Sequence, residues 1–190
     1  GLLGLYSFWL YQKYWELAGI EVAYNGYIWA AFAMTVSLAA RYAPALEVRL
    51  GWRRTLVLAS VLPFIGLLGM ALATGWIGVA FGFAIQVTRG LSLTLFYDAL
   101  NRRVPGEFRA TMNSLVSLGV RAAFIVTGPI LGYVLDSQGM SFTLVMLALI
   151  FAPLFLLVVH NLGRRIVREG KSEAEAQTAV HDPGEPVSVN

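Results

Sequence analysis

The stretch RRTLVLASVLPFIGLLGMALATGW, residues 53–76, decides how the chain is read. Arg53 and Arg54 open it, and a run without a single charge follows from Thr55 to Leu72. The uncharged break Ala73-Thr74-Gly75 then leads to the next apolar run at Trp76. A hydrocarbon core of about 30 Å takes about 20 helical residues, so the run has the length and character of a membrane crossing. It starts on a basic side and ends on an uncharged one, which is the asymmetry that orients helices in a bilayer.

Working outward, the same unit recurs. Apolar runs lie at 1–17, 24–46, 55–72, 76–100, 110–135 and 142–162, and predict an all-α polytopic membrane protein of six transmembrane helices over 1–162. The first run opens at Gly1, not Met, in the middle of apolar sequence. The expectation is that part of this helix and what precedes it are missing, making the chain a fragment.

Composition agrees: 57% of residues are hydrophobic and 13% charged, and the aromatics include five Trp, which favour membrane interfaces. The net charge of +3 is topological rather than a nucleic-acid signal, because the arginines sit in particular loops. Arg49, Arg53 and Arg54 lie between runs two and three, Arg102, Arg103 and Arg109 between four and five, and Arg164, Arg165, Arg168 and Lys171 after run six. The alternate connections 18–23, 73–75 and 136–141 hold no Lys or Arg, with Lys13 near the outer end of run one a mild exception. The basic loops are thus expected in the cytoplasm, and the C-terminus with them. Beyond Arg168 the chain turns to Glu, Ser, Ala, Gln and Pro, so 163–190 reads as a disordered cytoplasmic tail. Without cysteine there is neither a disulfide framework nor a thiolate metal site, and His160 and His181 stand alone, so no metal or cofactor is called for.

Three pieces carry a family resemblance. The segment PALEVRLGWRR, residues 44–54, resembles the signature between the second and third helices of each half of a major facilitator superfamily transporter, Gly-x-x-x-Asp-Arg-x-Gly-Arg-Arg/Lys. Registered on Gly51 it keeps Arg49 and Arg53, and has Pro44 for the first Gly, Val48 for the Asp and Trp52 for an Arg, leaving Glu47 as a substitute carboxylate. Gln86-Val-Thr-Arg-Gly90, followed by Asn101, Pro105 and Arg109-Ala-Thr111, resembles the family's helix with a central Arg-Gly and its exit. Gly128-Pro129-Ile-Leu-Gly132 is faintly similar to a Gly-Pro-x-x-Gly core of the family. Its small residues and proline suit helix bending or close packing.

The resemblance implies the C-terminal half of such a transporter: two inverted three-helix repeats, moving a small solute by alternating access against a missing N-terminal six-helix half. A coupling ion belongs to the same expectation, and the compact chain with short loops suggests a bacterial inner membrane. Glu47, Arg49, Arg53, Asp98 and Arg109 would form an inner-face charge network that gates the two states. The alternatives are that these arginines contact anionic lipid and that the charges cap helices.

Charges inside the runs are the sharper clue. Arg89 and Arg121 fall midway along runs four and five, where a charge costs about 2.5–3.5 kcal/mol on the insertion scale. Asp98, nine residues on, is roughly 13 Å away along a helix and too far to pair with Arg89. A structural pair or a substrate-cavity role remain for both, whereas Arg41 snorkels toward the cytoplasmic face. Tyr6, Trp9 and Lys13 are spaced for one face of run one. By the resemblance Tyr6, Trp9, Gln12 and Gln86 join Arg89 and Arg121 in a substrate cavity, the alternative for the aromatics being an interfacial belt, to which Tyr14 and Trp15 belong. Two central arginines tilt the cargo toward an anion or zwitterion. No intramembrane Ser–His pair, paired aspartates or metal-binding carboxylate cluster appears, which argues against an enzyme. The alternative to transport is a six-span receptor or assembly subunit.

Overall fold

The computed structural model describes residues 2–103 and 106–180, with side chains at 52, 95–106, 155–156 and 158–180 outside that description. Every element in it is helical: α1 (Leu2–Leu17), α2 (Val22–Leu50), α3 (Trp52–Leu72), α4 (Gly75–Arg103), a 3-10 turn (Gly106–Phe108) and α5 (Arg109–Val180). Three stretches are long and apolar enough to cross a membrane, Arg53–Leu72, Gly75–Thr94 and Arg109–Leu154. α1 is short, and α2 dilutes its apolar residues with Asn25, Arg41 and three tyrosines.

Glycines at positive φ mark the joints. Among the described residues, Gly19 (φ 70°), Gly51 (φ 80°), Gly75 (φ 60°) and Gly139 (φ 83°) have that conformation, which a side chain makes costly. Gly139 breaks α5. The Tyr6 ring lies 5.6 Å from that of Phe124 and 6.1 Å from that of Phe151, so these two are within about 12 Å of each other. A straight helix would hold them roughly 40 Å apart. α5 therefore folds back at Gly139 into an antiparallel pair, 109–138 and 140–180.

Side-chain meetings fix the helix directions. Gly69 lies against Phe81 and Gly66 against Ile85, so α4 runs antiparallel to α3. Tyr24 meets Trp76, Phe32 meets Gly82, and Val36 to Ala40 meet Gly90, so α4 runs parallel to α2. Tyr14 covers Gly78 and Tyr11 meets Gly82, so α1 is antiparallel to α4. The Gly51 joint and the end of α4 consequently lie at one end of the bundle, the Gly19 and Gly75 joints at the other. α5 starts a few residues after α4 stops, so its first segment, about 45 Å long, carries Gly139 to the end of the Gly19 and Gly75 joints.

Residues 47–50, read from sequence as part of the basic connection after run two, are helix. α2 passes through Pro44, and Gly51 alone separates it from α3. Proline at 44 cannot donate to the carbonyl of Ala40, and the Thr94 hydroxyl donates to that oxygen instead, at 3.3 Å. Likewise α5 continues over 163–180, where Ala, Glu and Gln are strong helix formers. The Pro/Gly stretch at 182–186 lies outside the described residues.

The core sits toward the end of the Gly19 and Gly75 joints. Trp15, Tyr11 and Phe32 are almost fully buried and interlock with Trp29 and Phe83. Each such ring pair contributes about 0.5–1.5 kcal/mol beyond area. In lipid this matters more than burial, because hydrocarbon does not drive helices together as water does.

Candidate functional site

At mid-height the proposed cavity residues divide. Tyr6 is buried, hydrogen-bonded to Thr127 and edged by Phe124 and Phe151. Gln86 is also buried, at 3% exposure. Trp9, at 59%, and Gln12 are exposed, on the side of α1 that turns away from the core. Three-residue spacing had put Tyr6 and Trp9 on one face, but the 60° between such positions is enough to separate a core tyrosine from a surface tryptophan.

Arg89 and Arg121 are both exposed, and neither makes an ion pair with a described residue. Arg89 lies within electrostatic range of the Tyr11 phenol, whose hydroxyl donates to the Gly82 carbonyl at 3.2 Å. The described carboxylates sit toward the helix ends: Glu16, Glu21 and Asp136 at the end of the Gly19 and Gly75 joints, which holds no arginine, and Glu47 and Glu107 at the basic end. The one salt bridge among the described residues, Lys13 to Glu16 at 3.1 Å, is exposed and local to α1, and pairs off the basic residue that departed from the charge asymmetry.

At the basic end, half-buried Glu47 and exposed Arg49 and Arg53 form no ion pair with described residues. Arg53 and Arg54, with Val57, line an open recess of about 410 Å³ beside the first turn of α3. Arg109 is engaged in an interaction, while the side chain of Asp98 lies outside the described residues, as does Pro105. Gly128, Pro129 and Gly132 keep helical dihedrals, and no other helix approaches either glycine.

Sequence reasoning passed over two features. Gly90 brings α4 onto the backbone of α2, and only the Arg-Gly pair pointed to it. Ser7 is buried in α1 with its hydroxyl beside the Tyr11 phenol, and nothing local in the sequence marks it. No protein-family model, curated protein or solved structure matches the chain.

Proposed function

We propose that the chain is one six-helix half of a secondary transporter of the major facilitator type, carrying a small solute by alternating access in a bacterial inner membrane, with a coupling ion and with its C-terminus in the cytoplasm. The observation that carries this reading is the pair Arg89 and Arg121, exposed at mid-height on helices otherwise fit for hydrocarbon. Charge at that depth belongs to a substrate or ion path by default. The fold-back at Gly139 supports six alternating segments in place of five helices, and the basic joints gathered at one end support the orientation.

In this reading the second half is a partner six-helix unit, and Trp9 and Gln12, on the open side of α1, face the shared cavity with the two arginines. Rocking of the halves exposes that cavity to each side in turn. Glu47, Arg49, Arg53, Asp98 and Arg109 act at the basic end, where pairing across the halves would hold one state closed.

The test is to tag the C-terminus in the native host and purify the product from membranes. A mass near twice 20.8 kDa, or a co-purifying six-span partner, together with solute counterflow in proteoliposomes, supports the proposal. A lone 20.8 kDa chain that moves no solute refutes it.

A further inference from the structure

α3 packs on both α4 and α5, and what it leaves exposed follows one line along the helix. That line passes through Arg54, Val57, Val61 and Ile65, three and four residues apart, with Arg53 at its edge. From Arg54 to Ile65 is about 16 Å, close to half of the roughly 30 Å hydrocarbon core of a bilayer. The line is therefore one leaflet deep, basic at its head and apolar below.

At the head, Arg53, Arg54 and Val57 share one open recess of about 410 Å³. That lies within the range of small-molecule sites, about 300–1,000 Å³. No described residue neutralises the two arginines. α3 has no acidic residue in its first turn, and neither Glu47 nor Glu107, the described carboxylates of the basic end, pairs with them. A phosphodiester carries one negative charge on two free oxygens, and each oxygen can accept from one guanidinium fork. A free anion would engage the arginines and leave the apolar line unused, whereas a neutral lipid would do the reverse. An amphiphile with an anionic head fits both.

We infer that Arg53, Arg54 and Val57 form a binding site for the headgroup of one anionic phospholipid, whose acyl chain runs along Val61 and Ile65. Basic pockets at the cytoplasmic ends of membrane helices take such headgroups. The inference needs α3 to span a bilayer and does not need the transporter reading. Of these residues only Arg53 also belongs to the proposed charge network.

The experiment uses the tagged protein from its own membranes, with all that co-purifies, in micelles that hold equal amounts of phosphatidylglycerol and phosphatidylcholine with identical acyl chains. Native mass spectrometry reads the ratio of the two lipids retained on the chain. Phosphatidylglycerol should dominate, and Arg53→Gln and Arg54→Gln should each lower the ratio about fivefold. Val57→Trp keeps both charges but fills the recess, so it should lower the ratio as well. Arg41→Gln removes the same charge from α2, away from the recess, and should leave the ratio within about twofold. No preference for phosphatidylglycerol, or a ratio that Arg41→Gln lowers as much as Arg54→Gln does, overturns the site. A ratio unchanged by Val57→Trp overturns the part assigned to the recess, and displacement of the lipid by inorganic phosphate alone overturns the assignment to a lipid. Where Arg54→Gln fails to fold, Arg54→Lys decides, because it keeps the charge and loses the planar fork: a lowered ratio supports the site and an unchanged one overturns it.

Discussion

A methyl group added at Gly90 has nowhere to go. Its position lies 2.5 Å from the Val36 carbonyl oxygen, 2.6 Å from Ala39 Cβ and 3.0 Å from the Ala40 nitrogen. Ordinary contact begins at 3.4 Å, so Gly90→Ala must part α2 and α4 by about 0.9 Å. Backbone atoms cannot rotate aside as a side-chain tip does, and overpacking of this kind costs about 1–3 kcal/mol. Alanine also gains about 0.5–1 kcal/mol in a helix interior, which masks part of the loss. Gly26→Ala supplies the reference, since nothing lies within 4 Å of Gly26 and only the helix gain operates there. The difference between the two variants isolates the packing cost and corresponds to a melting gap of about 2–12 °C for a chain of this size. Tryptophan fluorescence in detergent micelles reads it, with Trp15 and Trp29 in the aromatic cluster as reporters. If Gly90→Ala melts at or above Gly26→Ala, the close approach of α2 and α4 is wrong, and with it the parallel register of those helices.

Two further outcomes are expected from the same assay. Gly139→Ala forces a side chain to φ 83° and should cost about 1–2 kcal/mol, whereas Gly132→Ala, at helical dihedrals in open space, should match or exceed the parent; equal melting of the two would remove the fold-back at Gly139. Tyr6→Phe loses the hydrogen bond to Thr127 but keeps both ring contacts, and Thr127 still donates to the Ala123 carbonyl at 2.6 Å, so the loss should be about 0.5–1.5 kcal/mol; Tyr6→Ala should lose about 3–5 kcal/mol, and a Tyr6→Ala no worse than Tyr6→Phe would deny Tyr6 its place between the two segments of α5.

The elements most legible in the sequence were α3 and the first half of α4, as far as Thr88, where uncharged runs and an uncharged break leave little choice. The end of α2 was less so. Proline at 44 reads locally as a stop, and the helix runs on because a hydroxyl at Thr94, far along the chain, takes up the carbonyl that proline leaves free. Gly128-Pro129 drew attention as the place to bend, yet the non-helical dihedrals of α5 fall at Gly139, ten residues later. Composition signals that a glycine is present; only the register of the flanking helices on α1 says which one turns. For the site, depth was readable and direction was not. Counting residues put Arg89 and Arg121 at mid-span, while the burial of Tyr6 and Gln86 and the exposure of Trp9 and Gln12 depend on where α4 and α5 stand around α1.

The single-residue joint at Gly51 also sets the length of the chain in a way no pocket or charge does. One residue inserted or deleted there would turn α3 by about 100° relative to α2. That turn would carry Gly66 and Gly69 away from Ile85 and Phe81 and leave bulk where α4 needs absence of bulk. Length variation, epitope tags and fused reporter domains are excluded from this joint, however exposed the neighbouring arginines are.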